Sequence, residues 1–107
     1  MILMKLKINN KNINIINCTS FLSRFKGFMM VKKANYALLF KKCNSIHTFF
    51  MKMNIDVIMC DKNYNILYIY NNLKPNKIIL PKKNVSIVIE IPSGIININK
   101  NTKIELK

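Results

Sequence analysis

The chain has 107 residues, half of them hydrophobic, and a formal net charge of +14 at pH 7. This length supports one domain with its own core, and the apolar content excludes intrinsically disordered, collagen-like and coiled-coil chains. We therefore expect a single domain over residues 1–107. No uncharged apolar run approaches the roughly 18 residues that a membrane helix requires, so no membrane span is expected. The first residues also lack the order of an export signal.

The N-terminal part of the chain predicts two strands followed by one short helix. Residues 2–8 and 13–18 alternate apolar with polar side chains or carry β-branched ones, and an Asn-rich turn separates them. Ser20, or the Thr before it, can cap a helix over 21–26, whose apolar positions follow helical spacing. Gly27 stands where that helix would end.

From residue 36 onward, the pattern is typical of strands separated by turns. The predicted strands are 36–40, 46–51, 56–60, 66–70, 78–80, 85–91 and 103–106. Within 85–91, Glu90 shares one strand face with Val88 while the isoleucines line the other, so we expect the Glu90 face to be partly covered. Many short strands and one helix predict a mainly β fold: a β sandwich, jelly-roll-like or a partly closed barrel.

The positive charge comes from 17 lysines and one arginine, which are spread along the chain in ones and twos. Surfaces that recognise nucleic acids usually add arginine and concentrate their charge on one element. We therefore expect non-specific attraction to polyanions at low salt. A basic nucleic-acid-binding module remains an alternative.

The cysteines indicate a reducing environment. Cys18, Cys43 and Cys60 are odd in number and far apart, which excludes a disulfide framework and a C-x-x-C motif, so a cytoplasmic protein is expected. Cys43 and His47 form a C-x3-H pair, but on a strand they would lie about 13 Å apart, too far to chelate one ion. No metal and no cofactor are expected.

Two of the four acidic residues stand inside apolar strand sequence. Asp56 and Glu90 would be buried there, and a buried carboxylate must be paired, hydrogen-bonded or protonated. Arg24, the single arginine, is the obvious partner, since its guanidinium can pair with a carboxylate in bidentate fashion. The residues therefore support either a structural tie between helix and sheet or a polar functional site.

Four segments in order resemble the motifs of a known family. Residues 24–29 are similar to R-x-x-G-L-M, 37–40 to G/A-x-L-F, 46–58 to I-H-T-x-x-M-x-x-x-I-D-V-x-F, and 90–94 to E-L-P-A-G. Together they resemble the prokaryotic family known as domain of unknown function 192, over about residues 18–106.

This resemblance implies a mostly β domain with one short helix and supplies no established activity. Its motif positions, together with the rare polar residues, define a candidate functional patch of Arg24, His47, Thr48, Asp56 and Glu90. The remaining motif positions, which we interpret as structural, are Gly27, Met29, Met51 and Gly94.

Three functional hypotheses follow. The first is a non-enzymatic binding module whose polar patch holds an unknown small ligand or a protein partner's peptide. The second is a small hydrolase-like enzyme that uses Asp56 or Glu90 with His47 for acid–base chemistry. The third is an accessory to a larger assembly, which makes contact through a sheet edge or through the Met- and Phe-rich residues 25–30.

Overall fold

The computed structural model describes residues 2–99 and 101–107, and most of its regular structure is strand. The elements in chain order are β1 (Ile2–Ile8), β2 (Lys11–Asn17), α1 (Phe21–Lys26), β3 (Tyr36–Lys41), β4 (Ile46–His47), β5 (Ile55–Cys60), β6 (Ile66–Leu73), β7 (Ile78–Ile79), β8 (Ile87–Pro92) and β9 (Ile104–Leu106). The expected mainly β fold with one short helix is confirmed. Within the described residues, no helix is long and apolar enough to cross a membrane.

One curled sheet forms most of the molecule. Its seven strands follow the order β6-β5-β8-β3-β2-β1-β9, and every neighbouring pair is antiparallel except β2 with β3. Side chains from both edges, Ile69 of β6 and Leu106 of β9, pack against the same buried cluster. A sheet whose two edges share one core must curl. Of the predicted architectures, the structure therefore matches the partly closed barrel.

Strand β8 lies between β5 and β3 and is buried along its whole length. Ile87, Ile89 and Ile91 belong to the core inside the curl, whereas Val88 belongs to a second core on the opposite face. Because strand side chains alternate between faces, Glu90 lies on the Val88 side. A continuous apolar strand of this kind is typical of a sheet covered on both faces.

The second core is covered by the chain that follows α1 and by the small sheet of β4 and β7. The hydroxyl of Ser20 accepts the backbone N–H of Ser23 at 3.0 Å and so caps α1, while Gly27 ends the helix with a φ of +49°. None of the six residues of α1 is buried. The helix is thus anchored by its two ends and leaves its own side chains accessible.

The predicted strand 46–51 is much shorter in the structure. Only Ile46 and His47 pair, with β7, and the chain then turns, with Phe50 at a φ of +61°. Met51 donates its backbone N–H to the carbonyl of Thr48 instead of to a neighbouring strand. The apolar residues of this segment therefore lie in a turn. Their sequence pattern does not distinguish such a turn from a strand.

Asp56 fixes an irregularity in the sheet. The register of β5 against β6 shifts between Ile55 and Val57, where a bulge interrupts the ladder. Oδ1 of Asp56 accepts the backbone N–H of Asn72 at 2.8 Å and the hydroxyl of Ser93 at 3.1 Å. The buried carboxylate thus joins the bulged β6 to the turn after β8.

We expect Asp56→Ala to lower the free energy of unfolding by about 2 kcal/mol, because it removes the acceptor of both the Asn72 backbone N–H and the Ser93 hydroxyl. Asp56→Asn keeps an acceptor oxygen and should cost much less. Urea unfolding followed by circular dichroism measures both, with Glu105→Gln, at an exposed residue of β9, as the control. Equal stability of the Ala and Asn variants would contradict this role.

Candidate functional site

A cavity of about 320 Å³ opens between α1, β4 and the second face of the curled sheet. Phe21, Arg24 and Phe25 of α1 line one side, His47 of β4 lines another, and Glu90 of β8 belongs to its lining. The cavity thus brings together three of the five residues of the predicted patch. Its wall is mostly apolar, with charged groups from two different elements.

Glu90 is the most unusual group in this cavity. Its side chain is 97% shielded from solvent, since only 3% of its surface is exposed, and its Oε1 atom has no hydrogen-bond partner among the described residues. Burial raises the pKa of this carboxyl group from 4.5 to about 8. At neutral pH the group is therefore mainly protonated, and it can both donate and accept a hydrogen bond.

Gly27 provides the space that the carboxyl group of Glu90 occupies. A Cβ atom at position 27 would lie 3.2 Å from Oε1 of Glu90 and 3.7 Å from the ring of Phe40. The positive φ of Gly27 also disfavours any other residue. The positive φ and the close approach of the Glu90 carboxyl group therefore both explain why position 27 is a glycine.

The expected ion pair of Arg24 is wrong. Its guanidinium donates to the backbone carbonyls of Cys18, at 3.4 Å, and Lys42, at 3.3 Å. Neither Asp56 nor Glu90 forms a salt bridge with it in the part of the chain that the structure describes. Arg24 instead ties α1 to the ends of β2 and β3, and it brings a positive charge to the cavity beside a carboxyl group that stays unpaired.

His47 forms a flat side of the cavity. Its Nδ1 accepts the backbone N–H of Phe49 at 3.2 Å, so the neutral ring carries its hydrogen on Nε2. The ring stacks on Phe49, with centroids 5.3 Å apart, and lies 5.8 Å from the ring of Phe25. These contacts hold the imidazole in one orientation between two aromatic rings.

Thr48 and Asp56, the other two residues of the predicted patch, lie outside this cavity. The Thr48 hydroxyl donates to the carbonyl of Lys74 at 2.7 Å and accepts the N–H of Lys77 at 2.8 Å, which fixes the turn before β7. Asp56 lines a separate, more open depression together with Gly94. The Thr48 hydroxyl and Oδ1 of Asp56 are thus both engaged in hydrogen bonds that support the fold.

The remaining motif residues divide in the same way. Gly27 and Met51 line the cavity, and Met29 forms an isolated bridge with Met51 that closes the chain over the second core. Gly94 adopts a φ of +85° in the turn after β8. Motif position alone therefore does not separate cavity residues from residues that only shape the fold.

Sequence reasoning missed Phe21 as a cavity residue and named Phe25 only within the contact segment 25–30. Phe21 and Phe25 are four residues apart, a spacing that indicates a helix face packed on a core. Both instead line the cavity while remaining 86% and 58% exposed. The short length of the predicted helix could have indicated this exposure, since a helix of six residues cannot bury an apolar face deeply.

Metal ligands do not gather at this site. Cys43 and His47 both line the cavity, and the Cys43 thiol donates to the carbonyl of Ser45 at 3.2 Å. Among residues 2–99 and 101–107, no group of three His, Cys, Asp or Glu side chains is arranged to hold a metal ion.

Comparison with known proteins shows relatives that have no assigned activity. The UPF0127 protein of Thermococcus kodakarensis is 40% identical over 83 residues, which cover 72% of this chain and 52% of that protein. The UPF0127 protein of Pyrococcus horikoshii is 42% identical over 82 residues, covering 71% of this chain and 70% of that protein. The chain therefore spans about half the length of the Thermococcus relative.

Two solved structures share the fold. A candidate transcription regulator of Sinorhizobium meliloti superposes with a TM-score of 0.78 at 14% identity, over 97% of this chain and 92% of that one. A protein of unknown function from Novosphingobium aromaticivorans gives 0.74 at 15% identity, over 97% and 84%. The family model described as Uncharacterized ACR, DUF192, matches residues 4–106. The chain therefore belongs to the DUF192 family of uncharacterised proteins, to which its curated UPF0127 relatives connect it.

Proposed function

We propose that the chain is a non-enzymatic binding module whose cavity takes up a small ligand or a side chain of a protein partner. The observation that carries this proposal is the buried Oε1 atom of Glu90, a cavity residue, which has no hydrogen-bond partner among the described residues. A buried acceptor without a partner costs about 1 to 3 kcal/mol. A ligand with an N–H or O–H group removes this cost when it binds.

The cavity also defines the shape of such a ligand. Its volume of about 320 Å³ is near the lower end for small-molecule pockets, so the occupant is compact. Phe21, Phe25 and His47 offer flat apolar surfaces, which favour an aromatic or other planar group. The best-fitting ligand is therefore a planar apolar group with one hydrogen-bond donor near Glu90.

An acid–base enzyme is the less well supported alternative. It would combine His47 with Asp56 or Glu90, but Asp56 is held by Asn72 and Ser93 and lines a different depression. Glu90 and His47 do share the cavity. The structure thus brings only one of the two carboxylates of this hypothesis together with His47, so we favour binding over catalysis.

A nucleic-acid-binding module is supported by charge and by one fold neighbour. The net charge of +14 attracts polyanions, and the Sinorhizobium meliloti protein of the same fold is named a candidate transcription regulator. That likeness rests on 14% identity, and net charge alone gives attraction that physiological salt weakens. We therefore favour ligand binding in the cavity over nucleic-acid binding.

The free thiols support a cytoplasmic location. Cys18, Cys43 and Cys60 are all unpaired, and Cys18 and Cys60 are buried. Such thiols persist in a reducing compartment. We propose the cytoplasm as the place where the binding module works.

The raised pKa of Glu90 predicts a specific dependence of stability on pH. Below pH 4.5 the carboxyl group is protonated in both the folded and unfolded states; between 4.5 and about 8 only the folded state keeps the proton. The free energy of unfolding of the parent protein should therefore fall as the pH rises through this window, by up to about 1.4 kcal/mol per pH unit. Urea unfolding at several pH values measures it.

Two variants isolate the contribution of Glu90. Glu90→Gln stays neutral, so its free energy of unfolding should change far less than that of the parent protein between pH 4.5 and 8. Glu105→Gln removes the other glutamate, which is exposed in β9, and should keep the pH profile of the parent protein. Parallel profiles for the parent and Glu90→Gln would mean that the carboxyl group of Glu90 is ionised in the folded protein.

Binding to the cavity can be tested with a matched pair of probes. Indole and indene have nearly the same shape, but only indole has an N–H that can reach Glu90. We expect the parent protein to bind indole roughly tenfold more tightly than indene, since one hydrogen bond to a buried acceptor supplies about that factor. Titration followed by amide chemical shifts measures both and locates the probe.

Glu90→Met is the control for this pair, because it removes the acceptor and keeps a side chain of similar length. It should bind indene at least as well as the parent protein does and should lose the preference for indole. If neither probe shifts amide signals of α1, β4 or β8 in the parent protein, the proposed binding function is wrong.

A further inference from the structure

The cavity is surrounded by exposed apolar side chains. We define the apolar rim as Phe21, Leu22, Phe25, Met30, Phe50 and Ile78, each of which exposes more than half of its surface. Leu67 and Tyr68, on the edge strand β6, are each about two-fifths exposed, and we do not count them in the rim. A monomeric protein rarely leaves so many large apolar side chains together in water, and such patches usually mark binding surfaces.

One aromatic contact and two backbone pairings place the residues of the rim next to one another. The ring of Phe25 lies 5.8 Å from His47, and His47 pairs with Ile78 across the small sheet. On the other side, Met30 donates its backbone N–H to the carbonyl of Phe50 at 2.8 Å. The rim therefore continues from α1 across β4 to β7 and back to the chain after the helix.

The charge around the rim has one sign. The segments that build it, residues 19–53 and 74–84, contain seven and four lysine or arginine residues respectively, and no aspartate or glutamate. Glu90 is the single acidic side chain of the cavity, and it is buried. This charge favours a partner that carries negative charge, because a positively charged partner would be repelled without compensation.

The cavity supplies the place for an anchoring side chain. About 320 Å³ holds one large aromatic side chain, and the unpartnered Oε1 of Glu90 needs a hydrogen-bond donor. Among the standard residues, Trp and Tyr combine an aromatic body with one N–H or O–H group at the far end. They are also the residues most often found as binding hot spots in interfaces.

We propose that the apolar rim and the cavity form a docking surface for an acidic peptide segment of a partner protein, which inserts a Trp or Tyr side chain toward Glu90. This inference rests on the proposed binding function and names the class of its ligand. The acidic residues of the segment face Arg24, Lys26 and the lysines around the rim. Its apolar residues cover the exposed side chains of α1.

Other occupants fit less well. Leu22, Met30 and Ile78 are aliphatic and offer nothing to a phosphate backbone, although the aromatic half of the rim could stack on bases. A second copy of this chain would bring a further charge of +14 against the same cationic surface. The peptide is therefore the occupant that uses the apolar, charged and buried features together.

The test uses the fluorescence of the peptide itself, because the chain contains no tryptophan. The probe is acetyl-Asp-Glu-Asp-Trp-Asp-Glu-Asp-amide, titrated with the full chain at about 0.15 M salt. Insertion should shift the Trp emission to shorter wavelength. A peptide with Lys in place of the acidic residues should bind at least roughly tenfold more weakly, as should one with Ala in place of Trp.

Two matched leucine variants separate the rim from general charge attraction. Leu22→Glu, on the rim, should weaken binding of the acidic peptide by at least roughly tenfold. Leu67→Glu adds the same charge on β6 and should weaken it far less. Both leucines are exposed, so the folded state should tolerate either change. Equal weakening by the two variants would overturn the docking surface.

The remaining outcomes distinguish this inference from the function on which it rests. If indole binds in the cavity and the acidic Trp peptide binds no more tightly than indole, the docking surface is wrong and the binding function stands. If neither binds, both are wrong. If a short oligothymidine displaces the peptide at the same salt concentration and binds more tightly, the surface serves nucleic acid and the peptide proposal is overturned.

Discussion

Burial of β8 on both faces is the constraint on which the candidate site depends. Because one core fills the inside of the curl and a second core covers the outer face at β8, the alternate residues of this strand enter one core or the other. Five of its six residues are apolar or proline and satisfy this directly. Glu90 does not, and its carboxyl group remains buried in the second core, beside the cavity that it lines.

The helix cap makes that cavity possible. Because Gly27 has no side chain, α1 can end directly above the carboxyl group of Glu90, and the following chain can return to bridge Met51 through Met29. The same short helix is held by Ser20 and by the long hydrogen bonds of Arg24, not by buried side chains. Its phenylalanines are therefore not buried in a core, and they line the cavity and form part of its rim. The geometry at the end of α1 thus explains both the buried Glu90 and the exposed apolar rim.

Local patterns in the sequence predict the strands well, but they do not predict where the polar residues meet. Alternation in 85–91 correctly separates Glu90 from the isoleucines, because side-chain direction along a strand is a local property. The expected pair of Arg24 with a carboxylate fails because partner choice depends on tertiary distances: backbone carbonyls at Cys18 and Lys42 are within reach. Asp56 looks like Glu90 in sequence, yet a bulge in β6 presents an N–H to it. Strand register, which determines that bulge, is not visible in composition.

The charge state of Glu90 also determines how the surface attracts a partner. An ionised carboxylate would partly cancel the positive charge of Arg24 and Lys26, which line the same cavity. Burial raises its pKa to about 8, because desolvation disfavours the charged form of the carboxyl group. At neutral pH the group is thus mainly uncharged, and the whole face remains positive. Long-range attraction of an acidic partner and short-range hydrogen bonding inside the cavity can therefore act together, because the one acid at the site does not oppose the field around it.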